Sequence, residues 1–473
     1  MKQEKLTLKV IGAIISTGIL SFCGVLVETA MTVTFPTLSK EFDVNTATVQ
    51  WLVTIYLLVL AIIVPLSGFL KRSFKNKQLF IIGIGFFTLG IIIDAFAPSF
   101  QILLLGRIVQ GIGTGIGLPL MFNIILEQIP SEKIGMMMGV GTMIPAIAPA
   151  IGPTFGGLVV TSLGWRFIFI LLIPIMIVAM VIGLITIEQK SETRKAQFDI
   201  LSLAAIMAMF TGTIIGFSNM GAHPFFTPQV GGAFVLGVLG LVSLVYRSKR
   251  LEEPILQLEL LKNEAYRLHV VCFFILQLVL MGLVFILPNY IQLVNGSTPQ
   301  TSGLIVLPGA TLGALFTPLG GRILDRFGAK RPITFGSIVI AFSLVLFIIF
   351  SSELNNLLIG LLYFLFTFGV GFSFGNLMTN GLRQLEDTQQ ANGNAIIMTF
   401  QQFAGASGTS IIASIISQSQ SNEAISIAQS TITGARMGFL FLILLFSVEL
   451  FLLFCLFFKK ESQLDVRVQD STD

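Results

Sequence analysis

The sequence predicts an all-α protein that crosses a membrane many times. Of its 473 residues, 54% are hydrophobic and only 11% are charged, and the mean hydropathy is +0.90. A soluble protein of this size carries about 25% charged residues, because water must wet its surface. The apolar residues form long unbroken runs, which favour spanning helices over the alternating pattern of an outer-membrane barrel. We therefore expect membrane helices joined by short loops, with no room for a soluble domain.

Fourteen apolar runs are long enough to cross a bilayer as helices. The first run follows a basic start, as a signal peptide does, but it exceeds the length of a signal core and lacks a small-residue cleavage site. We therefore expect it to be the first spanning helix. The predicted spans lie near residues 10–35, 47–70, 78–97, 101–127, 135–160, 166–187, 200–220, 229–246, 268–289, 302–321, 332–351, 357–380, 391–417 and 434–458.

The basic residues are concentrated in the two tails and in alternate loops. Only Lys40, Arg107, Arg166 and Arg436 lie elsewhere, and 28 less these four leaves 24 on one side of the membrane. Cytoplasmic loops carry this excess of positive charge. The distribution predicts a multi-pass protein of the cell membrane with 14 spans and both termini in the cytoplasm. It also explains the net charge of +4 without nucleic acid as a partner.

A ten-residue pattern occurs twice, at residues 68–77 after the second span and at residues 321–330 after the tenth. Each copy has a glycine at the end of a helix, then a short basic loop and another helix. The pattern predicts two related six-helix bundles, and repeated bundles with a site near the membrane midplane are typical of secondary transporters. The predicted domains are an N-terminal bundle (1–190), an inserted helix pair with its loops (191–265), a C-terminal bundle (266–460) and a cytoplasmic tail (461–473).

Two ionisable residues lie inside the predicted first and fourth spans. Arg107 is the sole basic residue in a membrane interior, and its guanidinium keeps its charge, so it needs water or an acceptor. Glu28 is its natural partner among the membrane carboxylates. A carboxyl that gains and loses access to water can load and release a proton, which makes Glu28 a candidate proton carrier. The alternative is a structural ion pair, or a water-facing position near the outer mouth.

Three further acidic residues are weaker candidates for proton binding. Asp94 lies near the outer end of the third span, where we expect a hydrated interfacial residue rather than a proton site. Glu127 ends the fourth span and is expected to be an ordinary loop residue. Glu449 lies midway along the last span and either binds a second proton or faces a polar cavity. Asp94 and Glu449 are kept as secondary candidates for proton binding.

Polar and aromatic residues at membrane depth mark a candidate substrate cavity. Aromatic walls with a few polar groups suit an amphipathic ligand, and aromatic faces attract cations. For each residue taken singly, helix packing is the alternative. The candidates are Gln50, Trp51, Tyr56, Asn123, Asn376, Asn394, Gln401 and Gln402.

Glycines and prolines recur at helical spacing in the fourth and fifth spans. The glycine pairs 111/115 and 113/117 allow close helix approach. Pro145, Pro149 and Pro153 lie along one face of the fifth span, and each removes a backbone hydrogen bond. We expect this helix to be bent or irregular, either as a kinked packing helix or as a compliant element where the two bundles meet.

Taken in order and spacing, the motifs resemble those of the major facilitator superfamily, in its 14-span drug:proton antiporter branch of the EmrB/QacA type. The resemblance covers nearly the whole chain. Glu28 stands where Asp is commoner in that branch. The matching segments are residues 26–36 and 50–58, Arg107-x-x-Gln110-Gly111-x-Gly113, Gly152-Pro153-x-x-Gly156-Gly157, residues 165–169 with Pro174, residues 287–292 and residues 307–309.

The resemblance implies a major facilitator fold and the export of amphipathic, often cationic compounds by alternating access, in exchange for protons. The first loop has Arg72 and Lys75 where the family has Asp and Gly, so its usual interlocking contact is not expected there. If one loop latches the inward face, we expect it to be the second, which keeps the pattern. The residues that the resemblance assigns to conformational motifs are Gly111, Pro149, Gly152, Pro153, Gly156, Gly157, Gly321, Asp325, Arg326 and Gly328.

No cofactor, metal site or enzymatic activity is expected. The three cysteines and two histidines lie far apart, and the sequence has neither a nucleophile–base pair nor a phosphate-binding loop. The expected partners are amphipathic small molecules and the lipid bilayer, with protons as the coupling ion. The residues leave Na⁺ open as a coupling ion, and an accessory envelope protein, which some relatives in double-membraned bacteria use, is open as well. The rival functions are transport of a narrow physiological substrate (a lipid, metabolite or siderophore) and a non-transporting scaffold or sensor.

Overall fold

The computed structural model describes residues 7–44, 46–190, 192–194, 197–220, 225–420 and 426–469, most of them in α-helices. Each predicted span corresponds to one helix. The helices are α1 (Leu8–Glu41), α2 (Thr48–Ser73), α3 (Asn76–Ala95), α4 (Phe100–Gln128), α5 (Ser131–Ser162), α6 (Phe167–Thr186), α7 (Ile200–Asn219), α8 (Pro228–Arg250), α9 (Glu264–Leu293), α10 (Gln300–Phe327), α11 (Lys330–Ile349), α12 (Asn356–Leu382), α13 (Gln390–Gln420) and α14 (Ile427–Gln469).

Most of these helices are long and apolar enough to cross a membrane. Within the described residues, 13 satisfy that description by length and composition alone. The remaining predicted span is α13, which has 31 residues but a more polar sequence, rich in Gln and Ser. A polar helix of this length crosses a bilayer only when its polar face is covered by other helices or by water.

Side chains in the connecting loops set several helix ends. The carboxylate of Asp199 accepts hydrogen bonds from two backbone N–H groups in the first turn of α7, at 3.1 and 3.3 Å. Asn263 and Asn355 cap α9 and α12 in the same way. These bonds satisfy N–H groups that have no partner within the helix. Gly328 ends α10 with φ of 81°, a left-handed conformation that is strained for any other residue.

Packing divides the chain into two compact units. The first is Met1–Leu258 with Asp387–Thr399, and the second is Glu259–Glu386 with Phe400–Asp473. In the first unit α3 packs on α4, α2 on α4 and α1 on α6. In the second, the pairs eight helices later pack in the same way, namely α11 on α12, α10 on α12 and α9 on α14. Repeated sequence is thus accompanied by repeated helix packing.

A proline interrupts the regular helix at the same place in both repeats. In α2 a 3₁₀ turn surrounds Pro65, and in α10 the α-helix breaks just before Pro318. Pro65 lies three residues before Gly68, and Pro318 lies three residues before Gly321, so the two prolines are equivalent. Proline cannot donate a backbone hydrogen bond and its ring clashes with the preceding turn. Each basic loop therefore follows a locally irregular helix end.

The helices α7 and α8, predicted as an inserted pair, pack along each other within the first unit, and α7 also contacts α2. Arg247 of α8 donates to both carboxylate oxygens of Asp199, at 2.7 and 2.8 Å. Partial burial raises the pKa of Asp199, but hydrogen bonds from Arg247 and Ser202 outweigh it and hold the pKa below its ordinary value. This ion pair ties the start of α7 to the end of α8.

The glycines of α4 allow three other helices to approach closely. Side chains of α2 would lie 2.9 Å from a Cβ at Gly111 and 2.7 Å from one at Gly115. A Cβ at Gly113 would lie 2.5 Å from a backbone nitrogen of α3, and one at Gly117 would lie 2.5 Å from a side chain of α1. The pair 111/115 therefore faces one helix as expected, whereas Gly113 and Gly117 face two different helices.

The prolines of α5 do not break the helix. Its α-helical part is continuous over Ile134–Ser162 and includes Pro145, Pro149 and Pro153. Pro149 is exposed and Pro153 is half-buried. The missing N–H groups remove individual hydrogen bonds without ending the helix, and the bend expected from the sequence stays a prediction.

The closest contact of α5 is with α1, immediately after Glu28. A Cβ at Gly152 would lie 1.9 Å from Thr29 Oγ1, and one at Gly156 would lie 2.7 Å from the carbonyl oxygen of Ala30. Backbone atoms cannot move aside as a side chain can, so Gly156 is the more restrictive position. The glycine motif of α5 thus positions the part of α1 that carries Glu28.

We predict that Gly156→Ala destabilises the protein and that Gly157→Ala does not. A Cβ at Gly157 would have its nearest neighbour at 3.8 Å, an ordinary van der Waals distance. Both substitutions gain the same helix propensity, so their difference isolates the clash, which costs about 1–3 kcal/mol in a packed interior. Thermal unfolding of the purified variants in detergent measures the effect. Equal unfolding temperatures would contradict the close contact.

Candidate functional site

Arg107 lies on α4 in the interior of the first unit, with none of its surface exposed. Its Nε donates a hydrogen bond to the carbonyl oxygen of Leu52 at 3.1 Å, and its Nη1 donates to Oε1 of Gln110. The guanidinium carbon lies 4.2 Å from the centre of the Tyr56 ring. These neighbours are all neutral. The charge must therefore be balanced by carboxylates, because an uncompensated buried ion is very unfavourable.

Tyr56 joins three helices around the guanidinium. The sequence predicts that Tyr56 lines a substrate cavity. In the structure it lies on α2 and is completely buried, and its hydroxyl donates a hydrogen bond to Oγ1 of Thr114 on α4 at 2.9 Å. Gly24 of α1 lies against this pair, since a Cβ there would be 3.0 Å from the Tyr56 hydroxyl oxygen. Glu28 follows Gly24 by about one helical turn. The Tyr56–Thr114 pair thus sets the approach of α1 to α2 and α4.

Two carboxylates attract Arg107 electrostatically. The attraction from Asp94 of α3 is the larger, and that from Glu28 of α1 is the smaller. Glu28 is half-buried, and Arg107 is the charged group that acts on it. The attraction between Glu28 and Arg107 is therefore present as the sequence predicts, but Asp94 shares it. The roles of Glu28 and Arg107 in proton coupling stay predictions.

Asp94 is not the hydrated interfacial residue that the sequence predicts. It has no exposed surface, and its carboxylate rests against Gly106, where a Cβ would lie 1.9 Å from Oδ1. Neither of its oxygens accepts a hydrogen bond from any residue that the structure describes. The physical reason is packing, because the short connection, residues 96–99, makes α3 and α4 antiparallel neighbours and Gly106 of α4 leaves room for the carboxylate. That short loop was the sequence signal for a buried Asp94.

Glu449 is a buried carboxylate of the second unit. It has no exposed surface, and within the described part of the chain neither oxygen accepts a hydrogen bond. The helix α14 packs on α9 and α11, and Cys272 of α9 lies close enough for an electrostatic interaction with Glu449. Glu449 occupies a position of the buried stripe that is otherwise apolar, namely Ala435, Phe439, Leu442, Phe446 and Leu453. The structure therefore places Glu449 inside the protein with no hydrogen-bond partner among the described residues.

The other predicted cavity residues have varied positions. Nδ2 of Asn394 donates to Oδ1 of Asn123 at 2.9 Å, and both residues belong to the first unit. Asn376 donates to a carbonyl of its own helix at 2.7 Å. Gln50 and Trp51 are exposed, and Gln401 and Gln402 are half-buried. The structure thus joins Asn123 with Asn394 and Tyr56 with Arg107, whereas a substrate role for the set stays a prediction.

Both basic loops form polar contacts. Arg72 donates to Oδ1 of Asn392 on α13 and, at 2.9 Å, to the carbonyl oxygen of Pro254, all within the first unit. In the second unit Asp325 accepts a hydrogen bond from Arg383 at 2.7 Å. The first loop therefore forms polar contacts through Arg72, and the loss of its usual interlocking contact, in which the family uses Asp, stays a prediction. Arginine has five N–H donors, and these replace the acceptor that the family has at this position.

Glu127 belongs to a buried polar network and is not the ordinary loop residue expected from the sequence. It pairs with Lys71, and their side chains are only 12% and 8% exposed. Its Oε2 also accepts from Nδ2 of Asn76 at 2.9 Å, and its Oε1 accepts from the backbone N–H of Lys190 at 2.8 Å. This network could not be predicted from the sequence, because its residues come from the ends of separate helices.

Comparison with known proteins shows the family. The model of the Major Facilitator Superfamily matches residues 17–409, which is most of the chain. The chain belongs to the Major Facilitator Superfamily. The predicted fold class, an all-α major facilitator fold with many spanning helices, is confirmed.

Similar members of the superfamily include two bacterial proteins with one name. The Lincomycin resistance protein LmrB of Bacillus subtilis (strain 168) is 37% identical over 414 residues, which cover 87% of this chain and 86% of LmrB. The protein of that name from Listeria innocua serovar 6a is 33% identical over 399 residues, which cover 84% of this chain and 85% of its own length. These relatives agree with the drug-transport branch that the motifs predict.

The fold also resembles that of a solved superfamily structure. The crystal structure of the human organic anion transporter MFSD10 matches with a TM-score of 0.67 and covers 94% of this chain and 99% of its own. The sequence identity is 13%, so the likeness concerns the fold alone.

We predict that Glu127→Gln destabilises the first unit, because it leaves the buried ammonium of Lys71 without its counter-ion. Breaking a buried pair in this way costs on the order of 3 kcal/mol. Glu132→Gln is the matched control, since Glu132 is exposed. Thermal unfolding in detergent compares the two variants with the wild type. Identical unfolding temperatures for the two variants would show that the network contributes nothing.

We predict that Glu449→Leu stabilises the second unit. The change removes two buried oxygens that have no hydrogen-bond partner, and it completes the apolar stripe of α14, for a gain of about 1–3 kcal/mol. Glu449→Gln keeps a polar side chain in place and should gain less. A fall in unfolding temperature for Glu449→Leu would contradict the uncompensated burial. Transport by the same variant reports whether the carboxyl serves function.

Proposed function

We propose that this chain is a multidrug exporter of the cell membrane that moves amphipathic, often cationic compounds outward by alternating access, in exchange for protons. The observation that carries the proposal is the fully buried Arg107, which is electrostatically attracted by carboxylates on two other helices, Glu28 among them. A transporter that has no ATP-binding motif needs an ion gradient, and a membrane carboxyl beside a fixed cation is suited to respond to one.

The proposed coupling follows from the charge of Glu28. A proton from outside binds to a carboxylate oxygen of Glu28 and neutralises it, which removes one of the attractions that hold Arg107. Release of that proton to the cytoplasm restores the attraction. Because Arg107 contacts α2 through Leu52 and Tyr56, a change in its position is transmitted to α2 as well as to α1 and α4. Substrate moves outward during the same cycle.

The choice of drugs as substrates is supported by the relatives, two of which are named for lincomycin resistance. We therefore propose lincomycin as the first compound to test, together with a lipophilic cation such as ethidium. The concentration of basic residues in the tails and alternate loops supports a cytoplasmic location for both termini. The proton is the proposed coupling ion.

The test is the substrate-induced collapse of a pH gradient in inverted membrane vesicles. We expect lincomycin, ethidium or other members of a mixed panel to collapse the gradient with the wild type. Glu28→Gln should abolish the collapse at equal protein level, because the side chain can no longer bind and release a proton. Glu28→Asp is the matched control and should retain it, since it keeps the carboxyl.

Three outcomes would change the proposal. Collapse with Glu28→Gln equal to that of the wild type would remove Glu28 from the coupling path. Substrate accumulation that follows an imposed Na⁺ gradient instead of a pH gradient would replace the coupling ion. Failure of every compound with the wild type would leave the superfamily assignment intact and favour a carrier with a narrow physiological substrate.

A further inference from the structure

The interior of the first unit contains two carboxylates and one guanidinium on three helices. Asp94 on α3 and Arg107 on α4 have no exposed surface, and Glu28 on α1 is half-buried. Arg107 is attracted by both carboxylates, and it is the charged group that acts on each of them. With both carboxylates ionised, the group therefore carries one excess negative charge.

The polar atoms between Asp94 and Arg107 are incompletely bonded. Both oxygens of Asp94 are buried and have no hydrogen-bond partner among the residues that the structure describes. Two donor atoms of α4, Nη2 of Arg107 and Nε2 of Gln110, are also buried and have no acceptor among the described residues. Nη1 of Arg107 is directed to Gln110 instead of a carboxylate. In a purely structural ion pair the guanidinium N–H groups would donate hydrogen bonds directly to the carboxylate oxygens. The arrangement found here is instead typical of a guanidinium that can pair with either of two carboxylates.

Charge neutrality in this interior requires one proton. An excess buried charge is strongly unfavourable, and the guanidinium of Arg107 cannot give up its own proton. The group is neutral when one of the two carboxylates is protonated and the other faces Arg107. Asp94 is enclosed against Gly106, whereas Glu28 has surface that remains exposed. Glu28 is therefore the carboxyl with accessible surface at which a proton can bind, and Asp94 is left to balance the guanidinium.

We propose that Asp94 is the alternate counter-ion of the coupling site, which neutralises Arg107 while Glu28 holds the proton. The inference rests on the proposed function, in which Glu28 is the proton carrier. Proton binding forms an O–H bond on Glu28, and the Arg107 charge is then balanced by Asp94 alone. When water accepts the proton again, Glu28 and Asp94 compete for the same guanidinium. Asp94 is a positioning residue in this scheme and does not itself exchange protons.

Few other titratable groups among the described residues lie around the site. Cys23 lies on α1 and Tyr56 on α2, and both interact electrostatically within this group. The sequence of α5 facing α1, residues 134–162, contains no titratable side chain. Arg166, which leads into α6, donates to the backbone of Ala97 and pairs with Glu41. The balance of charge at the site is thus set by Glu28, Asp94 and Arg107.

The test follows the infrared carbonyl-stretch band of protonated carboxyls against pH, on purified protein in detergent without substrate. Glu449→Gln serves as the background, because Glu449 would add a band of its own. In that background we expect one buried carboxyl band that disappears as the pH rises. Asp94→Asn should move the midpoint of this titration to lower pH by about one unit or more, because Arg107 then acts on Glu28 alone. Glu28→Gln should remove the titration, because Asp94 stays ionised beside Arg107.

Each alternative result has a distinct meaning. An unchanged midpoint with Asp94→Asn, together with loss of the band in Glu28→Gln, would overturn the counter-ion role and leave the proposed function standing. A band that survives in Glu28→Gln and is lost in Asp94→Asn would make Asp94 the proton carrier and overturn both. Asp94→Ala is a second variant if Asn packs poorly against Gly106, since it removes both carboxylate oxygens and adds no atom. It should shift the midpoint in the same direction as Asp94→Asn.

Discussion

A guanidinium that keeps its charge at any physiological pH lies among apolar helices with no contact to solvent, and the first unit is arranged around it. Arg107 reaches α2 through Leu52 and Tyr56, and it is attracted by carboxylates on α1 and α3. Four helices therefore contribute to the environment of one ion. Because moving such an ion into hydrocarbon is so unfavourable, each of these helices is constrained to approach α4 closely.

That close approach depends on residues without side chains. Because Gly24 has no side chain, the Tyr56–Thr114 pair packs directly against α1. Gly106 in the same way leaves room for the carboxylate of Asp94, and the other glycines of α4 allow α2, α3 and α1 to approach. On the far side of α1, Gly156 brings α5 against the residues that follow Glu28. A Cβ at several of these positions would lie within 3 Å of a neighbouring atom. Packing and electrostatics are thus linked, since the small residues allow the charged ones to act on each other.

The two units share their pattern of helix packing but not their charges. The helix α12 occupies the place of α4 in the second unit and contains no Lys or Arg. The second unit has instead a lone carboxyl, Glu449, in the apolar stripe of α14. Its basic loop pairs Asp325 with Arg383, whereas the loop of the first unit uses Arg72 and the pair Lys71–Glu127. The repeated fold therefore carries different charged groups in its two units, and the permanently charged Arg107 lies in the first unit.

The sequence by itself determined the number and the approximate limits of the helices, the repeat, the superfamily and the interior position of Arg107. Hydropathy and loop charge are properties of local sequence, and a bilayer imposes one helix length on every span. It could not determine which carboxylate faces Arg107, because Glu28 and Asp94 lie on helices whose rotation depends on their packing. The same limit applies to Glu127, whose partners come from other helices, and to Arg72, whose contact with Asn392 joins residues 320 positions apart. Only the tertiary structure brings such residues together, since side-chain neighbours across helices are set by the close packing of glycines and not by any local periodicity.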